Sequence, residues 1–237
     1  MIQVHRFPWD DFPPVWIHGS ERLVKTHRDY SAGKAGDPDA AFRLVIDFLS
    51  EQVVEGIGKA VGASDPVIAS AHAVERDGVN AIPEVIADLL GFRLGWKVDS
   101  TIVQTNIVSH TGADGFSRLA RQACFAGAVE CGKAYFLVDD FIGQGGTLAN
   151  LRSMILEKGG VVVGATVLTG KPYSAMLALT EETLRQLRAK HGSELETWWA
   201  RTFSFGFECL TESEARYLLN TPTADRIRDR IAAAIEG

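Results

Sequence analysis

The chain has few of the residues that cross-link a small fold. Only three of its 237 residues are cysteines, Cys124, Cys131 and Cys209, with no CxxC pair and no histidine at zinc spacing. That excludes a disulfide framework and a metal knuckle, and fits reduced thiols in the cytoplasm. Long hydrophobic runs are missing too: no stretch approaches the roughly 18 apolar residues of a membrane span. The N-terminal "MIQVHRFPWDDFPP" lacks the basic-then-apolar order of a secretory signal. The expectation is a soluble cytoplasmic protein with no membrane partner. Positive charge is not in excess either. A formal net charge of −6 argues against nonspecific coating of nucleic acid. There is no internal repeat and no low-complexity segment. What remains is 46% apolar and 23% charged, a globular composition for one large domain or a domain plus a small subdomain.

Periodicity divides the chain. "SAGKAGDP" (Ser31–Pro38) reads as the first loop. Phe42, Val45, Ile46, Leu49 and Val53 recur at helical spacing and predict one helix over about 40–54, ended by the glycines of "GIGKAVGASDP". "PVIASA" is a short strand and "HAVERDGVN" a polar loop. "AIPEVIADLLG" is a helix with Asn80 as N-cap and Gly91 as its stop. "TIVQTNIV" (Thr101–Val108) is β-rich, and "SHTGADG" follows as a loop. Residues 116–130 read as a helix. "AYFLV" and "VVVGATVL" are buried strands without polar alternation, as in a parallel sheet covered on both faces. Between them lies a helix over 147–158, ended by Gly159 and Gly160. Strands alternating with helices over 66–170 predict βαβ units: an α/β fold with a mostly parallel sheet flanked by helices. Residues 1–65 would cover this core. Residues 171–237 would form a mainly helical appendage, with a capping box at Thr211 and Glu214.

The chemistry concentrates in "AYFLVDDFIGQGGTLANL" (Ala134–Leu151). In a parallel sheet, ligands bind beyond the carboxyl ends of the strands. Asp139 and Asp140 stand at such an end and are expected to face solvent. Gly143, Gln144, Gly145, Gly146 and Thr147 then lead into a helix N-terminus. Glycines let successive backbone N–H groups converge on an anion, and the helix dipole favours negative charge there. A phosphate held in that turn leaves its sugar near two carboxylates, which accept hydrogen bonds from adjacent hydroxyls. A Walker loop is excluded because no lysine precedes Thr147. A dinucleotide fingerprint is excluded because Leu148 stands where its third glycine belongs.

"FLVDDFIGQGGTL" resembles the PRPP-binding motif of type I phosphoribosyltransferases, where PRPP is 5-phosphoribosyl 1-diphosphate. The motif's two acids fall on Asp139 and Asp140, its loop glycine on Gly145 and its final threonine on Thr147. Gly143 and Gln144 depart from it, standing where small hydroxyl residues are usual. The resemblance implies a PRPP site at Asp139, Asp140 and Gly143–Thr147, in a core that is Rossmann-like. It implies a pyrophosphate loop at Arg76, Asp77 and Gly78, ahead of the helix that follows. It implies a mobile catalytic loop over 109–118, with His110 and Arg118 as catalytic candidates and Arg121 close by. That stretch is also similar to the arginine-rich segment of competence-protein-like phosphoribosyltransferases. Lys171 in "GKPYSA" and Phe205 in "FSFGFE", with Phe203 and Phe207 beside it, resemble base-binding segments of hypoxanthine-guanine enzymes. The likeness covers about 66–170.

The activity so implied is phosphoribosyl transfer from PRPP, with Mg²⁺ arriving on the ligand rather than on a protein metal site. The acceptor is a small molecule, expected to be a nucleobase, and the chain is expected to act as a homodimer. The alternatives are a PRPP- or nucleotide-binding regulator without turnover, and another phosphosugar enzyme on a similar sheet.

Overall fold

A computed structural model of the chain describes residues 4–71, 74–75, 78–108 and 114–236. An N-terminal strap leads to strand β1 (Trp16–Ser20). Helices α1 (Glu21–Lys25), α2 (Tyr30–Lys34), α3 (Pro38–Phe48) and α4 (Glu51–Val61) follow. Next come β2 (Val67–Ser70), a ribbon of β3 (Val74–Glu75) and β4 (Gly78–Val79), α5 (Ile82–Leu94) and β5 (Val98–Asp99). Then come β6 (Val103–Gln104), α6 (Gly115–Ala120), β7 (Phe125–Ala126), β8 (Ala134–Ile142), α7 (Gly146–Glu157) and β9 (Val161–Gly170). The chain closes with α8 (Glu181–Phe203), broken at Gly192, then α9 (Glu212–Leu219) and α10 (Ala224–Glu236).

The main sheet has five strands in the order β1-β9-β8-β2-β5, every neighbouring pair parallel. Helices cover both of its faces, so the fold is α/β, as its alternating pattern implies. Side chains alternate across the pleat. Ile68, Phe136, Val138 and Leu168 therefore join the core built by α3, α4 and α5. Ala69, Tyr135, Leu137 and Val167 join the core that includes Leu148, Leu151 and Ile155 of α7. Burial of each large apolar side chain contributes about 1.5–3 kcal/mol, and β8 contributes to both faces. A one-residue slip of β8 would exchange its faces, so the two acids at its end are fixed to opposite sides.

A third core joins Phe116 and Leu119 of α6 to Leu187, Leu195, Trp199, Leu218 and Ile227. The N-terminal strap lies between this cluster and α7. Phe7 N–H donates to Ser153 Oγ (3.2 Å), Arg152 donates to Pro8 O (3.1 Å), and Trp9 Nε1–H donates to Leu210 O (2.7 Å). No helix among the described residues is long and apolar enough to cross a membrane.

Several local readings are corrected. Ser31–Pro38 is not one loop, because α2 runs through Lys34 before a turn at Gly36 with φ of 102°. The predicted 40–54 helix is two helices. Leu49 is extended, and Ser50 caps α4 by accepting from Val53 N–H. Phe42 and Ile46, 49% and 46% exposed, face outward, while Ala41, Leu44 and Val45 form the core stripe. Gly56 and Gly58 lie inside α4 rather than ending it. Gly91 lies inside α5, whose cap is left-handed Gly95, and Asn80 precedes the N-cap, Ala81. Within 101–108 only Val103–Gln104 pairs, and it pairs antiparallel with Phe125–Ala126. The predicted helix over 116–130 therefore stops at Ala120. Residues 1–65 do more than cover the core, since β1 is an edge strand of the sheet. Phe203, Phe205 and Phe207, which resemble a base-binding segment, are core residues of the helical cluster.

Candidate phosphosugar site

From β2 the chain crosses through α5 to β5 on one side, then returns past β2 to β8 and continues to β9 on the other. The crossovers diverge between β2 and β8, which pair directly with Ser70 opposite Val138. Such a switch point opens a crevice beyond the carboxyl ends of the strands. Asp139 and Asp140, near the end of β8, lie beside it.

The turn after β8 has the backbone of a tight entry into α7. Gly145, the N-cap, has φ of 83°, a left-handed conformation that disfavours any side chain. A β-carbon there would also run into Leu177. At Gly143 a β-carbon would stand 2.7 Å from Arg118 Nη1, so glycine at this position lets the guanidinium lie against the loop. Gly143 is one of the two turn residues that differ from the motif the sequence resembles. The other, Gln144, has both its side-chain amide oxygen and nitrogen buried without a hydrogen-bond partner among the described residues. The backbone carbonyl of Gln144 accepts from Thr211 Oγ1 at 2.6 Å.

The turn borders a cavity of ≈ 80 Å³, lined also by Arg6, Arg118, Arg121, Asp139 and Glu214. One wall is a buried polar network. Arg6 donates to both carboxylate oxygens of Glu214 (2.6 and 3.1 Å), to Asn150 Oδ1 (2.6 Å) and to Gln122 Oε1 (3.0 Å). Its guanidinium lies 4.7 Å from the centre of the Phe205 ring. Glu214 also closes the capping box with Thr211. A β-carbon on Gly146 would lie 2.8 Å from Glu214 Oε1, so a carboxylate already faces the first turn of α7. This fits the positive end of a helix dipole.

The acids themselves are buried, 8% and 7% exposed, where the sequence suggested solvent-facing groups. β8 continues through Ile142, two residues past the pair, and carries them inside. Asp139 shares the α7 face and lines the arginine cavity. Burial, followed by the neighbouring Asp140 charge, holds its carboxyl well above the usual carboxylate range. Its Oδ1 accepts from Asp140 N–H at 2.8 Å. Asp140 shares the opposite face, where Lys34 Nζ at the end of α2 lies 3.1 Å from Oδ2. Lys34 was not singled out in the sequence. Its signal was a lysine between small residues in "SAGKAGD", with nothing to indicate its partner.

Lys171 directly follows β9 and lines a second, larger cavity of ≈ 500 Å³, shared with Phe141, Gly143, Gln144 and Arg118. Phe205 is not brought to either cavity beside the turn. It lines a separate one with Phe203, Ala234 and Ile235, under Arg6. Arg118 borders both cavities at the turn, and Arg121 borders the smaller. Thr147 lies in the first turn of α7 on the smaller cavity. Gly78 is the first residue of β4. Arg76, Asp77 and His110 lie outside the described residues, as does 109–113 of the expected catalytic loop. Its end is described: Asp114 caps α6 and pairs with Arg230 of α10. Among the described residues, no group of three or more His, Cys, Asp or Glu could hold a metal ion by itself.

No family model matches the sequence. The chain is 39% identical over 232 residues to Protein TraN of Escherichia coli, covering 98% of this chain and 52% of that protein. It is 36% identical over 157 residues to an uncharacterized protein of Haemophilus influenzae, covering 66% of this chain and 35% of the other. The chain thus spans about half the length of the first of these curated relatives and about a third of the second. Among solved structures, an adenine phosphoribosyltransferase matches 58% of this chain and 74% of its own, at 14% identity and a TM-score of 0.38. At that score the fold assignment rests on the sheet itself: α/β, five parallel strands, with the acid pair and glycine turn at its carboxyl edge.

Proposed function

We propose that the chain binds PRPP and transfers its phosphoribosyl group to a small-molecule acceptor. The observation that carries this reading is the placement of Asp139, Asp140 and the Gly143–Thr147 turn together at the switch point of a parallel sheet, with Arg118 against the turn. In this reading the 5-phosphate sits at the turn, beside Arg118 and Thr147. Asp139 accepts from ribose hydroxyls. An acceptor nitrogen forms a bond to the anomeric carbon as the carbon–oxygen bond to diphosphate breaks. Diphosphate leaves with the bonding pair, and the nitrogen loses its proton to water. The sugar passes through an oxocarbenium-like state, and a carboxylate nearby stabilises that charge. Mg²⁺ suits such a site, since it is usually held by one or two carboxylates plus substrate phosphates. Asp139 is the carboxylate in the cavity, and Mg²⁺ would supply charge neutralisation on the diphosphate. Arg76, Asp77 and His110 remain the proposed contacts for diphosphate and catalysis. A homodimer in the cytoplasm is the proposed working form.

A second reading has its own support. Lys34 already engages Asp140, and Glu214 with Arg6 already faces the first turn of α7. Such closure suits a regulator that binds a phosphosugar without turning it over. One experiment separates the two: incubate the protein with Mg²⁺, PRPP and a panel of nucleobases, and follow pyrophosphate and nucleotide by mass. Release coupled to nucleotide formation supports transfer. Binding by calorimetry without release supports the regulator. Neither binding nor release overturns both.

A further inference from the structure

The larger cavity at the carboxyl edge has a charge that the chain as a whole does not. The protein carries a net charge of −6, yet among the described residues the cavity is lined by Lys25, Lys171, Arg118 and Arg216 against a single carboxylate, Glu21. The lysines come from two strand ends. Lys25 closes the helix after β1, and Lys171 follows β9 directly. Glu21 serves both, at 2.7 Å from Lys25 Nζ and 2.9 Å from Lys171 Nζ. One carboxylate cannot neutralise two ammonium groups. Arg216, on the exposed face of α9, makes no side-chain hydrogen bond or ion pair among the described residues. The cavity therefore carries an excess of positive charge in an acidic protein, and concave walls concentrate such a field.

Two further features point to a ligand. Gln144 borders both cavities, and its side-chain amide oxygen and nitrogen are buried and unpartnered among the described residues. A buried polar group left unmade is costly, so a ligand that supplies a donor and an acceptor there is favoured. Phe141 and Tyr173 supply aromatic surface. Lys25 Nζ sits 4.0 Å from the centre of the Phe141 ring, and Tyr173 is 62% exposed. A volume of ≈ 500 Å³ accommodates a ring with substituents.

We propose that this cavity holds the acceptor, and that the acceptor is an anionic aromatic ring, bearing a carboxylate or a phosphate, rather than a neutral base. This rests on the transferase reading for the word acceptor; the charge preference of the cavity stands apart from it. Lys25, Lys171 and Arg216 meet the anion. Gln144 hydrogen-bonds the ring and sits between it and the sugar-phosphate cavity.

Matched probes test this on the full chain. Nicotinate against nicotinamide, and orotate against uracil, differ at one charged group on the same ring. Phenyl phosphate against phenol tests the phosphate arm. Calorimetry with and without Mg²⁺·PRPP should show an anionic member binding about tenfold or more tighter than its neutral partner, a margin that shrinks as salt is raised. Lys25→Gln with Arg216→Gln should abolish the margin while leaving the heat of Mg²⁺·PRPP binding unchanged, since neither side chain lines the smaller cavity. Equal affinities within every pair, tighter binding of the neutral members, or no binding by any anionic probe at millimolar concentration would overturn the inference while leaving PRPP binding intact. A margin that survives the double substitution would also overturn it. Absence of PRPP binding together with a clear anionic margin would instead sink the transferase reading alone.

Discussion

The two faces at the end of β8 treat adjacent, chemically identical residues differently. On the α7 side, Asp139 meets a cavity whose arginines are partly committed elsewhere: Arg6 is held by Glu214, Asn150 and Gln122. On the α3–α5 side, Asp140 meets Lys34 directly. Burial is nearly equal, so the difference lies in the partner. The first face is closed by the N-terminal strap and the C-terminal helices, which are far apart in sequence. The second is closed by α2, a short helix that follows β1 and α1. One carboxyl is thus held toward its protonated form, and its neighbour is held as part of an ion pair.

The largest effect is expected on the strap side. Glu214→Ala should lower stability by about 3–5 kcal/mol, because it leaves Arg6 charged and buried. Replacing both partners, as Arg6→Met with Glu214→Leu, should recover most of that loss in urea melts. If the single substitution melts like the parent, the network does not close this face.

Gly145→Val comes next. Forcing a β-branched residue to φ of 83° costs about 1–3 kcal/mol, before the encounter with Leu177 is counted. The variant should lose PRPP affinity by calorimetry even where circular dichroism shows it folded. Retained affinity would move the anion away from this turn.

On the opposite face, Lys34→Met should cost roughly 1–3 kcal/mol, since it leaves the buried Asp140 carboxylate without its cation. A loss as large as that of Glu214→Ala would mean the two faces are equally sealed.

The smallest effect has the opposite sign. A carboxyl raised in the native state keeps a proton that the unfolded chain has lost, so its stability contribution falls as pH rises above the ordinary aspartate value of about 3.9. Asp139→Asn removes that penalty and keeps an oxygen to accept from Asp140 N–H. The variant should melt above the parent at neutral pH, and the gap should close below about pH 4. Asp140→Asn, which takes the charge from a pair with Lys34, should show no such gain. A matching gain at both positions would erase the distinction between the faces.

The sequence made the sheet legible because "AYFLV" of β8 and "VVVGATVL" of β9 are short, largely apolar runs bounded by turn residues, as strands covered on both faces are. The turn was legible because glycine is needed where φ is positive. The break at Ser50 was hidden because the apolar spacing on either side of it remains helical, although a serine cap was there to be read. β1 and β5 were hidden by shortness and mixed polarity. The closure of the site was hidden for a different reason. Arg6 with Glu214, and Lys34 with Asp140, are pairings between distant segments, and nothing local to either partner marks them.

If the acid pair and the glycine turn form one phosphosugar site, PRPP binding needs both acids. Titration calorimetry of Mg²⁺·PRPP into the parent and into Asp139→Asn with Asp140→Asn tests it most directly. The account predicts heat with the parent and none with the double variant, which should still unfold cooperatively. No heat with the parent, or undiminished heat with the variant, would contradict it.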